Sequence, residues 1–440
     1  MYHQPSRRKQ ITKRILVYGS MSLATLILVA VLVSVMLGYQ FNRTDGRIEQ
    51  GGLVQFASRP VDADVTIDNA SFGTRTPSKT TMASGQHTIA MNKSGFKTWQ
   101  KTVDVSAGGI LWLNYARLIP NDLAPKSVAT FSTVSDTLAS PDDEWIAIKE
   151  DSATPSIRLA NIENDSIELT NLDLPTSSYT PHAQGKTHQF SLEKWDPSSR
   201  YVLVKHTYDD DKIEWLVVDT QNAALTKNIT TLFDVNASQI EFSNANSRIL
   251  YAQIGADVRR IDIGEETISR PLITNVTEFS LFDRSTILYT TAHDAATRKR
   301  SIGYYKDGAS EPQTVRTFTD DGTAPLHIAA GKYFSDTYLA IVYGNSVSII
   351  NDELPSERIA NLSTLDTIAT MNIDPGTQYL STKTNGRFVV TQTDSVYSVY
   401  DLELMKATRT PLKSAMNVTK EIEWLDGYTA WSDGGQMLRI

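Results

Sequence analysis

Few residues in this chain are of a type and spacing that could do chemistry. His182 and His188 share one polar stretch, 176–189, and paired imidazoles are the raw material of a transition-metal site. No carboxylate stands at ligand spacing beside them, so they read as polar loop residues. His206 is followed by Asp209, Asp210 and Asp211, and three carboxylates on one loop can offer oxygen to a hard cation. That run lacks the alternating spacing and the glycine of a calcium loop, and a solvated hairpin tip is expected. Asp320-Asp321-Gly322 reads as a turn in the same way. His87, alone beside a turn glycine in an alternating strand, reads as structural. Trp195, Trp215, Trp424 and Trp431 lie in or beside strands, which suits packing better than a sugar-stacking platform. No phosphate-binding glycine loop, serine nucleophile elbow or His-Glu-x-x-His run occurs. Cysteine is absent, which removes disulfides, thiol nucleophiles, iron–sulfur ligation and cysteine zinc sites. The expectation is no catalytic residue, no cofactor-binding residue, no metal ligand and no cofactor.

The elements that would carry these residues begin with an apolar segment. From Ile15 to Tyr39 there is no Asp, Glu, Lys, Arg or His. As a helix this run is ~37 Å long, enough to cross a hydrocarbon core of ~30 Å. Arg7, Arg8, Lys9, Lys13 and Arg14 all precede it. The positive-inside rule then places residues 1–14 in the cytoplasm and the bulk outside the membrane. The apolar run is longer than a signal peptide's and ends without a small-residue cleavage site, so an uncleaved anchor over 15–39 is expected. The remainder holds 37 bases against 50 acids, a balance that disfavours nucleic acid as a partner. An exported chain without cysteine fits a bacterial surface.

A polar linker over 40–51 precedes a run of short alternating strands at 53–58, 64–68, 85–91, 97–105 and 110–118, with turns at Asn69–Gly73 and Asn92–Phe96. Its marks are Ser58-x-Pro60-x-x-Ala63, Val65-x-Ile67-Asp68, Gly73-x-x-Thr76-Pro77, Gly85-x-His87 and Gly95-Phe96. This order resembles the PEGA domain, with Val61-Asp62 standing where the name-giving Glu-Gly would be. The resemblance covers residues 52–119 and implies a small β-sandwich-like spacer or contact module outside the membrane, with no chemistry.

Residues 120–440 carry a repeat. Short apolar cores start at 145, 201, 249, 287, 338, 388 and 428, in steps of 38 to 56 residues that bracket the ~40–50 residue period of four-stranded blades. Turns such as Ser140-Pro141-Asp142 and Asp196-Pro197-Ser198 precede several cores, and second strands ending in Asp or Asn (Asn161, Asp219, Asp262, Asn351, Asp401) follow them. The pattern is similar to the repeats of TolB-like and Trp-Asp-type β-propellers. Seven blades are expected, with six or eight as alternatives, and Val128–Val134 is expected to supply the strand that the last unit lacks.

The fold class expected is therefore mainly β: a transmembrane helix, a PEGA-like module and a β-propeller. The function expected is non-catalytic binding or scaffolding at the cell surface, with a protein or cell-wall polysaccharide as ligand. The alternative is an enzyme whose site lies in the propeller channel, assembled from several blades and marked by converging carboxylates with raised pKa. Oligomeric state is left open.

Overall fold

The computed structural model describes residues 7–36, 38–42, 47–122, 127–163, 166–209, 211–333, 336–351, 354, 367–373, 379–382, 386–402, 406–412, 422–424, 429–432 and 436–439. The chain divides into two compact units, 1–127 and 128–440.

In the first unit, α1 (Arg7–Met36) contains a 25-residue stretch, Ile11–Val35, of mean hydropathy 2.3 and wholly unburied by protein. It is long and apolar enough to cross a membrane. Three of its hydroxyls donate inward to the preceding turn, Ser20 to Val17 O at 2.9 Å, Thr25 to Met21 O at 2.9 Å and Ser34 to Ala30 O at 2.8 Å, which spares those donors an unmatched place on the apolar surface. The helix starts within the basic tail, earlier than the expected residue 15. It is closed by Gly38, whose φ of +79° lets its N–H turn back to Val35 O. The expected linker 40–51 is instead a hairpin, β1 (Tyr39–Asn42) with β2 (Arg47–Gln50). Gly38 and Gly51 close its base by a 2.9 Å hydrogen bond, and a Cβ on Gly38 would sit 3.0 Å from Gly51 O.

The β module follows as β3 (Gly52–Arg59), β4 (Asp64–Ile67), β5 (Ala70–Arg75), β6 (Ser78–Met82), β7 (Gly85–Asn92), β8 (Trp99–Val105) and β9 (Ile110–Arg117). One sheet has the order β6-β3-β9, with β9 parallel to β3, and the other the order β5-β4-β7-β8. Alternate residues of both sheets, including Val54, Phe56, Val65, Ile89, Met91 and Leu113, fill one buried core. The turn expected at Asn69–Gly73 is shorter: Asp68 and Asn69 take left-handed φ values of +50° and +65°, and Ala70 already begins β5. Asp62, in the place of the family's glycine, also adopts a left-handed φ of +63° and donates its N–H to Thr76 O.

The second unit is a succession of antiparallel meanders. The first blade is β10 (Asp136–Ala139), β11 (Trp145–Lys149), β12 (Ser156–Asn161) and β13 (Glu168–Asp173). The second is β14 (His188–Trp195), β15 (Tyr201–Tyr208), β16 (Lys212–Asp219) and β17 (Lys227–Asn228), followed by the short helix α2 (Ile229–Phe233). The third is β18 (Ala237–Phe242), β19 (Ile249–Ile254), β20 (Asp257–Asp262) and β21 (Thr267–Ile268). The fourth is β22 (Val276–Leu281), β23 (Thr286–Thr291), β24 (Lys299–Lys306) and β25 (Gln313–Thr319). The fifth is β26 (Leu326–Tyr333), β27 (Asp336–Tyr343), β28 (Ser346–Asn351) and β29 (Thr367–Asn372). The sixth is β30 (Tyr379–Thr382), β31 (Phe388–Gln392), β32 (Val396–Asp401) and β33 (Lys406–Pro411). The seventh has three described strands, β34 (Glu423–Trp424), β35 (Thr429–Ser432) and β36 (Gln436–Arg439).

Every apolar core expected from the repeat is the second strand of its blade. Successive blades pack face to face. Val202, Val204 and Leu216 face the first blade's Ala147 and Leu159, whereas Leu203 and Val217, one residue along, face the third blade's Ile240 and Leu250. Among the described residues such apolar clusters fill each interface from the first blade to the seventh. Burial on both faces explains why these strands read as continuous apolar runs and not as alternation. First strands of neighbouring blades also touch, β10 with β14, β14 with β18 and β26 with β30. Seven sheets in this order make the second unit a β-propeller.

Val128–Val134 does not form the closing strand. Val128 and Val134 are exposed, and the segment hangs on the first blade, with Thr133 Oγ1 donating to Glu150 O and Arg158 lying over the Phe131 ring. Ser135 N–H continues the edge of that blade to Lys149 O at 2.8 Å. The chain is thereby tied to its own blade before it could reach another.

The recurrent turns have a common chemistry. Buried Asp196 accepts from the N–H groups of Ser198, Arg200 and Tyr201 and from the hydroxyls of Ser198 and, in the next blade, Ser247. Arginines one residue before the cores pair with the aspartates ending the third strands: Arg200 with Asp219 at 2.8 Å, Arg387 with Asp401 at 2.5 Å and Arg248 with Asp262 at 3.8 Å.

Candidate functional site

The second blade brings together residues that are distant in sequence. In the antiparallel ladder Phe190 lies opposite His206, and His206 opposite Glu214, so all three share one face of the blade. His188 and Tyr208, two residues away on their strands, flank them. The His206 ring is stacked between Phe190 (4.1 Å between centroids, 7° between planes) and Tyr208 (5.1 Å, 15°). Its side chain and that of Glu214 are 0% and 1% exposed, and Nδ1 lies 2.7 Å from Glu214 Oε1. Its other nitrogen, Nε2, lies 3.4 Å from His188 Nδ1. The exposed His182 ring lies against His188, 4.2 Å between centroids and tilted by 32°.

The segment between the first two blades, 174–187, is strapped over this cluster. Thr180 donates its N–H (2.6 Å) and its hydroxyl (2.8 Å) to Glu214, Tyr179 meets Phe190 and His206 edge-on, and Ala183 N–H reaches Asp209 Oδ1 at 2.8 Å. Asn228, the N-cap of α2, adds a further 2.9 Å hydrogen bond to Glu214. Burial opposes ionisation of Glu214, but the hydrogen bonds from His206, Asn228 and Thr180 outweigh it and hold the carboxyl below its usual range. Burial, then neighbouring His182 and His206, lower the His188 pKa.

A second buried ionisable group sits beside the cluster. Lys149, 1% exposed on β11, donates to Thr154 O, to Ser156 O at 2.9 Å and to Thr154 Oγ1 at 3.3 Å, with its Nζ over the Phe190 ring. Burial pushes its pKa down to about 8, with Asp151 acting in the opposite direction.

Chemically this arrangement is a hydrogen-bonded line closed within the blade. His206 spends both nitrogens inside the blade, and among the described residues no group of three or more His, Asp or Glu side chains is placed to hold a metal ion. The sequence separated these histidines. His188 begins a strand instead of lying in a loop, and only the blade's pairing register brings it to His206. The signal that could have found the site was alternation, His188-x-Phe190 and His206-x-Tyr208, which puts each pair on one face of its strand.

The other singled-out residues have structural partners. His87 bridges Asp68 Oδ2 (2.7 Å) and Ala83 O (2.9 Å), and its hydrogen bond with Asp68 is the main reason that the carboxyl is held low. Asp209 and Asp211 cap the β15–β16 hairpin with left-handed φ values, and Asp210 lies outside the described residues. Asp320 pairs with Arg300 through two hydrogen bonds of 2.9 and 2.6 Å, and Gly322 turns the chain at φ +81°. Three tryptophans peg blade to blade: Trp195 Nε1 to Leu138 O, Trp215 Nε1 to Ala237 O and Trp424 Nε1 to Ser381 Oγ. The Trp431 side chain lies outside the described part of its strand.

Polar side chains on the first strands of neighbouring blades meet as Lys194 with Glu241 and Glu278 with His327 (2.9 Å). The carboxylates that the fold shifts, among them Asp142, Asp196, Glu214, Asp219, Asp283 and Asp320, are all held low. Such groups are turn caps and ion-pair partners, stabilised in their ionised form.

No curated protein matches the chain. Solved structures that resemble it include the C-terminal WD40 domain of Sif2 (11% identity, 69% of this chain and 80% of that one, TM-score 0.45). Others are the yeast heterotrimeric Nup82–Nup159–Nup116 nucleoporin complex (10%, 69% and 96%, 0.47) and a functionally unknown protein from Desulfotomaculum acetoxidans (10%, 74% and 92%, 0.39). In the first unit, residues 52–118 match the PEGA domain.

Proposed function

We propose that the protein is a single-pass membrane protein of the bacterial cell surface, with its N-terminus in the cytoplasm and its propeller outside. There the propeller binds a protein or cell-wall polysaccharide without catalysis. The observation that carries this is the pairing of an unburied apolar helix, Ile11–Val35, with a propeller in which the shifted carboxylates among the described residues are held low as turn caps and ion-pair partners. The cluster Arg7, Arg8, Lys9, Lys13 and Arg14 lies before the span, whereas Arg43 and Arg47 just beyond it are offset by Asp45 and Glu49, which favours the orientation. Blades present many loops on a rigid frame, a form suited to binding.

The absence of cysteine makes topology simple to test. Single cysteines introduced as Ser6→Cys, Ser94→Cys and Glu266→Cys are treated with a membrane-impermeant maleimide on intact cells. Labelling of the last two alone is expected. Labelling of Ser6→Cys alone would overturn the orientation. Purified protein is then tested for binding to isolated cell-wall polysaccharide and to envelope proteins. Retention of neither would overturn the binding role.

A further inference from the structure

Near its C-terminal end α1 forms one wall of a groove of about 390 Å³, open along one side. Ile27 stands three, four and eight residues before Ala30, Val31 and Val35, so the four share one helix face. Ser34 is on the same wall, and its hydroxyl donates to Ala30 O at 2.8 Å, which keeps that donor out of the groove. Tyr39 of β1 and Ile48 of β2 supply the other wall. The walls are tied together at the hairpin base. Gly38 N–H donates to Val35 O, Gly51 N–H to Gly38 O and Gly108 N–H to Gly51 O, a continuous line from the helix end to the turn between β8 and β9. The volume falls within the ~300–1,000 Å³ of small-ligand sites.

What covers this groove follows from its walls. A two-stranded hairpin of four residues a strand is at best marginally stable in water and needs an apolar surface to lean on. The helix alone does not supply enough, since Ile48 remains 72% exposed and Tyr39 42% exposed beside it. Every residue from Ile27 to Val35 is exposed as well, so one apolar medium must surround both walls. We propose that the groove seats a lipid acyl chain of the membrane leaflet at the C-terminal end of α1, with the hairpin lying in the interface as a foot for the β module. The proposal rests on the reading of α1 as a membrane span, and it adds a lipid contact beyond that span. Backbone chemistry sets the depth. β1 and β2 form a sheet of two strands, so each has an outer edge with no ladder partner, which hydrocarbon cannot satisfy. The hairpin therefore lies where headgroups and water reach those edges while Ile48 faces the acyl chains. Tyr39, with an apolar ring and a polar tip, suits that boundary.

The test uses the full wild-type chain in phosphatidylcholine vesicles doped with a phosphatidylcholine that carries a diazirine in its acyl chain. After irradiation, crosslinked residues are mapped by tandem mass spectrometry. Crosslinks are expected along α1 and at Ile48, with none at Val61, which is also exposed (54%) but lies beyond the far end of β3. Ala30→Phe, which fills the groove from the helix side, is expected to cut labelling at Ile48 at least threefold. Labelling at Val29, on the opposite face of α1, should not change. Crosslinks along α1 with none at Ile48 would overturn the proposal and leave the span standing, the groove then being covered by protein. No crosslink to α1 would overturn the span and the proposal with it. Equal labelling of Val61 and Ile48, or labelling at Ile48 that Ala30→Phe leaves unchanged, would also overturn the groove as the seat. If Ala30→Phe fails to reconstitute, the wild-type map still decides.

Discussion

Removing the Glu214 carboxylate should unfasten the strap over the second blade. In Glu214→Ala the Thr180 N–H, the Thr180 hydroxyl, the Asn228 amide and the His206 ring all lose their acceptor in a site that is 1% exposed. The hydroxyl and amide can turn to new partners, but the backbone N–H and the ring cannot. A buried donor left unmatched costs about 1–3 kcal/mol, so two of them cost about 2–6 kcal/mol. A loss of about 4 kcal/mol is expected, roughly a thousandfold in the opening equilibrium. Glu214→Gln should cost about 1–2 kcal/mol, because its carbonyl can still accept from Thr180 and His206 while Asn228 flips to face the new amide. Native-state hydrogen exchange of peptides in 174–187 and 201–219 at pH 7.5 measures both variants locally, which matters because a chain of many blades need not unfold in one step. A Glu214→Ala protein within about 0.5 kcal/mol of wild type, the size of a neutral surface change, would refute the assignment of Glu214 as the anchor.

Other consequences are checked by conventional unfolding. Burial opposes ionisation of Asp219, yet the Arg200 hydrogen bond and the Gln221 N–H hold its carboxyl low, so its stabilisation is present above a pH of ~4 and lost below it. Asp219→Asn should cost about 1.5 kcal/mol at pH 7, and the gap from wild type should close as pH falls under 4 in denaturant titrations. Lys149, pushed down to about 8, binds fewer protons folded than unfolded, so its contribution to stability rises with pH from about 8 upward. Lys149→Met should flatten that part of the pH–stability curve. In Gly303→Ala the new Cβ would lie 2.1 Å from Gln313 O and 2.5 Å from the Tyr289 hydroxyl oxygen, a backbone clash expected to cost about 3 kcal/mol and to lower Tm accordingly.

The blade cores were legible because apolar strands buried on both faces are continuous runs, and their starts recur at nearly regular intervals. Turn chemistry was legible at Asp196-Pro197-Ser198, where one carboxylate caps several N–H groups. The arginines of the Arg–Asp pairs escaped notice, since one cation before each core carries no signal until strand pairing brings it to the aspartate. The hairpin at 39–50 went unread because its strands are only four residues each, and the alternation Tyr39-Gln40-Phe41-Asn42 is too short to set apart from a polar linker.

What the sequence by itself determined was local and periodic: an uncharged stretch long enough for a membrane, the marks of a PEGA-like module at 52–119, and a repeat of blade length. Tertiary structure decided what meets what. The register of β14, β15 and β16 places His188, His206 and Glu214 in one hydrogen-bonded line, and the segment at 174–187 closes over it. A register shift of one residue would turn these side chains to the other face of the blade, and composition and spacing would be unchanged. The same holds at 128–134, where the sequence promises a strand but hydrogen bonds to the first blade hold the segment at its own edge.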